Sequence, residues 1–441
     1  MTAAIDPEVS TRRRATGGLR GYPIVGPGWS IVLAGALLRL VYLLVHPPDA
    51  HIYSDMLGYV IRAHGLATGA PLIRYDAFYP PGAHVLLAAP LWLFGPGHGG
   101  LVAAGWLWWL LSSLVPLATW RLARQLVSPA AALLAAALSA ADPLLIAYGG
   151  FFTSEIPATA ALLGALWLGV AAGRRSGRGS MLLGLAAGLL AGAAIVTRPQ
   201  LALNIVVLLF AMRQRHAHRR TLAALLCAAI GVTGAGVAYT SAAAGHLTTL
   251  AENGGMNFFQ SHCDVHVVRV TVSPGQDYVF GAPAAVMQNR GADYVYRGVQ
   301  PGDQSFFYRQ GLHCVSRNVP EAIGIAARNM ADLTVTSVPW PPVDETGLGR
   351  IVDAANVIYC TFLVVALGLL VRGRRRRSPA VTSWALRLLL AQLACMLPVA
   401  IIFGAEPRFR VPYDAFGLIL ITGAIAGMRG QVETPTVWLR R

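Results

Sequence analysis

Residues 29–59 read WSIVLAGALLRLVYLLVHPPDAHIYSDMLGY. Trp29 to His46 is an apolar run carrying a single charge, Arg39. About 20 such residues cover the hydrocarbon core of a bilayer as a helix. His46-Pro47-Pro48 then ends the run, with no small-residue cleavage site behind it, so the segment reads as a signal anchor rather than a removable leader. Past the prolines the chain turns polar at once and presents an acid, Asp55, just beyond the membrane edge.

Working outward, the same apolar pattern recurs at 100–120, 129–147, 151–173, 180–196, 199–212, 220–243, 351–371, 383–404 and 411–428. The stretch at 199–212 is the shortest of these, and a further run at 83–95 is short and bounded by prolines. Composition agrees: 55% of the 441 residues are hydrophobic, 12% are charged, and mean hydropathy is +0.54. Soluble domains carry about 25% charged residues. The expected fold class is therefore an all-α polytopic membrane protein of about ten transmembrane helices, with a smaller mixed extracytoplasmic loop domain. A soluble enzyme, a disordered chain and a disulfide-rich secreted module are excluded.

Charge fixes the orientation. All 35 basic residues are arginine, against 20 acids, for a net charge of +15. With ten crossings, 83–95 at the surface and the N-tail inside, 21 of the arginines face the cytoplasm with only Asp6, Glu8 and Glu433. Counting 83–95 as a crossing would put four of those clusters outside, against the positive-inside rule. The basic balance is thus a topology signal, and no nucleic-acid partner is implied. The expected organisation is a cytoplasmic tail at 1–28, a transmembrane module at 29–244 with its first outer loop at 47–99, an extracytoplasmic loop domain at 245–350, transmembrane helices at 351–428 and a cytoplasmic tail at 429–441.

This topology brings distant ionisable residues to one membrane face. Asp55 follows the first span, Glu155 opens the fourth, and Arg198 sits in Thr197-Arg198-Pro199 between the fifth and sixth. Glu406, Arg408 and Arg410 sit between the ninth and tenth. Ionisable groups beside spans are costly and mark function by default. Guanidinium forks bind phosphate and never deprotonate, and a carboxylate beside them can serve as a general base. Ordinary structural readings stand alongside: Asp55 capping the helix at 56–67 with Ser54, Glu155 as a cap partner, Arg198, Arg408 and Arg410 as interfacial anchors. Tyr53, Tyr59, Tyr75 and Tyr79 suit stacking on sugar faces, or an interfacial aromatic belt. His262 and His266, beside Cys263 and Asp264, have metal-like spacing, but the segment reads as a strand and offers no third ligand. His216 and His218 lie in a cytoplasmic arginine cluster. Cys263 and Cys314 share the second outer loop; a disulfide between them would stabilise that loop by roughly 4 kcal/mol, and two buried thiols is the alternative.

Tyr53-Ser54-Asp55-Met56-Leu57-Gly58-Tyr59, followed by Tyr79-Pro80-Pro81-Gly82, resembles the C-type (GT-C) polytopic membrane glycosyltransferases. The similarity is to bacterial members akin to protein O-mannosyltransferases and the aminoarabinose transferase. Ser154-Glu155, the small-residue run Gly192 to Pro199, Asn257-Phe258-Phe259 and Pro407-Arg408-Phe409-Arg410-Val411-Pro412 continue it in order. The large loop shows no recognisable carbohydrate-binding module, and Asp55 lacks a neighbouring acid. The resemblance implies inverting transfer of a sugar from a polyprenyl-phosphate-linked donor to an envelope glycan, lipid or protein acceptor at the extracytoplasmic face of a bacterial inner membrane. Asp55 would then be the base. Arg198 and Arg408, with Arg62, Arg74 or Arg410, would hold the lipid phosphate. Glu155 would orient the acceptor or help hold a cation, and Tyr53, Tyr59, Tyr79 and Asn257 would contact sugar or acceptor. No cofactor is required; an oxygen-ligated Mg²⁺ or Mn²⁺ is compatible. Competing readings are a transporter or flippase of a lipid-linked precursor, a non-catalytic envelope assembly protein, and another lipid-phosphate enzyme.

Overall fold

The computed structural model describes residues 26–214, 217–273, 275–281, 285–286, 288–334, 348–375 and 383–428. Most of the expected N-tail, the expected C-tail at 429–441, residues 335–347 of the expected outer loop, His216 and several arginines of the expected cytoplasmic clusters lie outside the described residues.

Among the described residues, eight helices are long and apolar enough to cross a membrane. Six of them are α1 (Pro27–Val45), α4 (His98–Leu126), α7 (Glu155–Ala172), α8 (Gly177–Thr197), α10 (Arg219–Ala244) and α14 (Gly349–Arg375). The others are the broken pair α15 (Ser383–Ala394) and α16 (Met396–Phe403), and α17 (Pro407–Met428). The chain is a multi-pass helical membrane protein. Three apolar helices are shorter than a full crossing: α3 (Gly82–Phe94), α5 (Pro129–Ala141) and α9 (Ala202–Gln214). Two of the ten expected spans, 129–147 and 199–212, therefore differ from single full-length helices.

The reason at 129–147 is local. Asp142-Pro143 ends α5 and starts α6 (Pro143–Tyr148), because proline disfavours a helical residue before it. The Asp142 carboxylate accepts from the Leu144 and Leu145 amides at 2.9 and 3.2 Å. The exposed carbonyls of α5 are met by Arg39 from α1, whose guanidinium donates to Ala140 O at 2.7 Å, Ser139 O at 3.0 Å and Ser112 Oγ at 2.9 Å. Irregular backbone at membrane depth requires such partners, and Arg39 is structural.

Close helix packing comes from small residues. Gly184, Gly188 and Gly192 line one face of α8, and a Cβ at Gly188 would lie 2.2 Å from the Leu225 carbonyl of α10. Small residues four apart let membrane helices approach at backbone distance.

Outside this bundle, α2 (Ser54–Thr68) and α3 pack on one another and on α4 around Met56, Ala63, Leu87, Trp108 and Phe152. The segment between α10 and α14 forms a compact unit of α11 (Gly254–His262), β1 (Val265–Ser273), β2 (Gln276–Gly281), β3 (Ala292–Arg297), α12 (Gln304–Arg317) and α13 (Val319–Asp332). The sheet order is β2-β1-β3, with β1/β2 antiparallel and β1/β3 parallel. Val268 pairs with Phe280 and Tyr294, and Val270 with Tyr278 and Tyr296, so the aromatic rings share one face. Cys263 and Cys314 form a disulfide joining the α11 end to α12, with Cα atoms 5.4 Å apart.

Candidate active site

Three segments converge where the bundle meets the outer unit. The first is the start of α2. Ser54 has φ +50°, a left-handed conformation that is uncommon for a residue with a side chain. Strain of this kind concentrates at functional sites. The Asp55 carboxylate does not cap α2. Oδ1 accepts from Tyr79 Oη at 2.8 Å, and Oδ2 lies 3.0 Å from Arg408 Nη1. Its side chain is 28% exposed.

The second segment joins α8 to α9. Pro199 forces Arg198 out of the helix into an extended conformation, which turns its side chain across to α7. There Arg198 Nη1 meets Glu155 Oε1 at 2.5 Å and Ser154 Oγ at 3.3 Å. Both partners are nearly sealed from solvent, at 6% and 3% side-chain exposure. With the Gln200 amide turned so that its oxygen faces the guanidinium, Arg198 Nε donates to it at 2.8 Å.

The third segment is the turn into α17. Arg408 Nε lies 2.8 Å from Glu406 Oε2, so one guanidinium links Glu406 to Asp55. Burial pushes the Glu406 carboxyl above its ordinary value; Arg408 opposes this, and the charges of Asp55 and Glu155 add to it. The Phe409 ring stands 5.2 Å from the Arg198 guanidinium and 5.1 Å from that of Arg408, so it separates the two cations.

Some of the remaining expected residues lie around this core and others lie away from it. Tyr59 is buried against the Tyr79 ring at 5.1 Å. Burial and the Asp55 charge raise both phenols well above their ordinary value, so each remains a protonated donor. Tyr53 packs on the same cluster. Arg62 is buried and acts on Tyr79 from below: it donates to the Gly58 and Tyr75 carbonyls and lies 4.4 and 4.8 Å from the Tyr75 and Tyr79 rings. Asn257 lines a cleft of about 90 Å³ that ends on Glu406 and Arg408. Two expected phosphate ligands lie elsewhere. Arg410, two residues and so about 200° around the helix from Arg408, is buried and held by Asp414 at 2.6 Å, Asn356 at 2.5 Å and Leu333 O at 2.9 Å. Arg74 is half-exposed and 3.9 Å from Glu252.

Tyr79 as a donor to Asp55, Ser154 and Gln200 as partners of Arg198, and Phe409 as a spacer were not readable as such from the sequence; only their adjacency to motif residues pointed to them. Among the described residues, no three His, Cys, Asp or Glu side chains are grouped to hold a metal ion. Chemically, the site offers one accessible carboxylate on a hydrogen-bonding phenol, beside two guanidiniums with buried counter-charges.

Comparison with known proteins finds a family match over part of the chain and a likeness to two solved membrane enzymes. Residues 79–239 match the family described as dolichyl-phosphate-mannose-protein mannosyltransferase. The match runs from Tyr79 into α10 and includes Glu155 and Arg198, but not Asp55 or Arg408. No curated protein matches the sequence. Among solved structures, the chain is similar to the apo oligosaccharyltransferase of Archaeoglobus fulgidus, at 14% identity and TM-score 0.49 over 90% of this chain and 50% of that one. It therefore spans about half the length of that enzyme. It is also similar to ArnT from Cupriavidus metallidurans. The apo form matches at 15% identity and TM-score 0.37, over 90% of this chain and 78% of that one. The form bound to undecaprenyl phosphate matches at 16% identity and TM-score 0.36, over 92% and 79%.

Proposed function

We propose that this chain, a multi-pass membrane protein similar to mannosyltransferases of the C type, moves a sugar from a polyprenyl-phosphate donor to an acceptor hydroxyl at the extracytoplasmic membrane face. The observation that carries the reading is Asp55: it is the most exposed of the three clustered carboxylates, and it is held by Tyr79 on one oxygen and Arg408 on the other. A base must reach its substrate, and Glu155 and Glu406 are buried.

In this mechanism Asp55 takes the proton from the acceptor hydroxyl as the oxygen attacks the anomeric carbon. The bond from that carbon to the phosphate oxygen breaks, and the electron pair leaves with the polyprenyl phosphate. The anomeric centre inverts. Arg408 and Arg198 supply fixed positive charge where the leaving phosphate gains negative charge, in a site that excludes much of the water. Glu155 holds Arg198 in place, Glu406 holds Arg408, and Arg62 holds Tyr79. Arg410 braces α17 against α14 through Asn356. Each of the three clustered carboxylates is engaged by an arginine, and this mechanism routes no step through a metal. Orientation follows the arginine asymmetry: the site outside, both termini inside, in a bacterial cytoplasmic membrane.

The test is sugar transfer in proteoliposomes with a panel of labelled polyprenyl-phosphate sugars and crude envelope acceptors. Wild type is expected to consume one donor, and Asp55→Asn, matched for folding and insertion, to lose at least about a hundredfold in rate. Donor consumption indifferent to Asp55 moves the base to another carboxylate. Consumption of no donor supports transport or assembly instead.

A further inference from the structure

A second groove opens between the first outer loop and the β1–β2 hairpin, with about 230 Å³ of space. One wall is the short turn Arg74–Ala77, the other is β2. Tyr75 and Tyr278 line it in direct ring contact, with centroids 5.0 Å apart, and Tyr75 also stacks on Phe78 at 5.5 Å. The amides of Gln276 and Gln300 reach the same space, and each can both donate and accept. Gln276 is fixed there: its Nε2 donates to Tyr278 Oη at 3.1 Å and its Oε1 accepts from Ser273 at 3.1 Å.

The floor carries a group that points to a ligand. Glu252 is 2% exposed, and its Oε1 lies 3.0 Å from His246 Nε2. Its other oxygen, Oε2, makes no hydrogen bond among the described residues, with Arg74 Nε 3.9 Å away. Buried polar atoms are ordinarily satisfied. A Cβ on Gly302 would stand 2.8 Å from that oxygen, so a side chain there would crowd it.

We propose that this groove binds a neutral sugar ring of a polysaccharide or oligosaccharide acceptor. Sugar C–H faces carry partial positive charge and suit the electron-rich face of Tyr278. Sugar hydroxyls suit the two amides, and one hydroxyl donates to Glu252 Oε2. Arg74 and Glu252 offset each other in charge, which favours a neutral ring over a phosphorylated or acidic one. The groove lies one run of packed side chains from the active site: Tyr75 stacks on Arg62, Arg62 on Tyr79, and Tyr79 binds Asp55. An acceptor glycan held here at one sugar therefore extends toward Asp55 with another. This deepens the transferase reading and rests on it for the direction of the chain, though not for the binding itself.

The test uses the purified full chain in lipid nanodiscs, titrated with a panel of short neutral hexose and pentose oligosaccharides and a control panel of unstructured peptides. At least one oligosaccharide is expected to bind. Tyr278→Ala and Gly302→Ala are each expected to weaken it about tenfold, and Tyr278→Phe, which keeps the ring, to stay within about twofold of wild type. The proposal is overturned if no oligosaccharide binds, if binding ignores both Tyr278→Ala and Gly302→Ala, or if peptides bind with the same dependence on Tyr278. Wild type that consumes a lipid-linked donor yet binds no oligosaccharide refutes the groove alone. Oligosaccharide binding without donor consumption refutes the transferase reading and leaves the groove standing.

Discussion

Removing Arg198 separates what that residue does for the fold from what it does for the reaction. Its guanidinium is 6% exposed and sits 2.5 Å from Glu155, itself 3% exposed. Arg198→Met leaves the buried Glu155 carboxylate without its paired guanidinium. Breaking one side of a buried pair costs about 3–5 kcal/mol. Replacing both partners with apolar residues is often neutral or better, because neither charge is then desolvated. Arg198→Met is thus expected to lower the unfolding free energy in detergent by about 3–5 kcal/mol, and Arg198→Met/Glu155→Leu to recover most of it. The two sites touch, so their effects should be strongly non-additive. Sugar transfer should behave differently. If Arg198 stabilises the leaving phosphate, turnover in the stable double variant stays at least about a hundredfold below wild type. The assays are denaturant or thermal unfolding in detergent micelles and donor consumption in proteoliposomes. An Arg198→Met protein as stable as wild type would falsify the view that Glu155 is desolvated and paired. A double variant that regains turnover would reduce Arg198 to a structural counter-ion.

Two further outcomes are expected. His84 is fully buried in α3, neither ring nitrogen has a hydrogen-bond partner among the described residues, and burial, with Arg62 nearby, lowers its pKa to about 3. The folded protein therefore resists a proton that the unfolded chain accepts near pH 6.5, so stability is full above that value and falls as pH drops toward 3. The loss by pH 5 is about 2 kcal/mol, and His84→Phe should flatten a plot of unfolding midpoint against pH over that range. The Cys263–Cys314 bridge closes a separation of 51 residues, so Cys263→Ser/Cys314→Ser should cost the outer unit about 4 kcal/mol. Limited proteolysis within 245–350, with the transmembrane helices left intact, reports that loss; equal protease resistance would contradict it.

How the site assembles explains why some residues were legible and others were not. Asp55, Glu155, Arg198 and Arg408 stand at span boundaries, where any charge is costly and therefore conspicuous in a sequence of this hydropathy. Tyr79 was visible only as an aromatic near a Pro-Pro pair; its bond to Asp55 depends on how α3 returns the chain over α2. Arg408 and Arg410 look alike in Arg408-Phe409-Arg410. They part because α17 is already helical there and sends the second guanidinium inward to Asp414 and Asn356. Glu252 carried no signal, since a single acid in a polar loop is ordinary. Its burial exists only because the Glu252 amide pairs with the Ala77 carbonyl and draws two outer loops together.

The sequence by itself determined that this chain crosses a bilayer with several helices and that charged residues gather at the ends of those helices. Those properties are local: each follows from runs of apolar residues, from proline and glycine at span ends, and from the cost of placing a charge beside lipid. Only the tertiary structure decided which guanidinium meets which carboxylate, which of three acids remains open to a substrate, and that a groove of two tyrosines stands next to the site. Those facts depend on the rotation of each helix about its axis and on contacts between segments hundreds of residues apart, which hydropathy does not encode and close packing does.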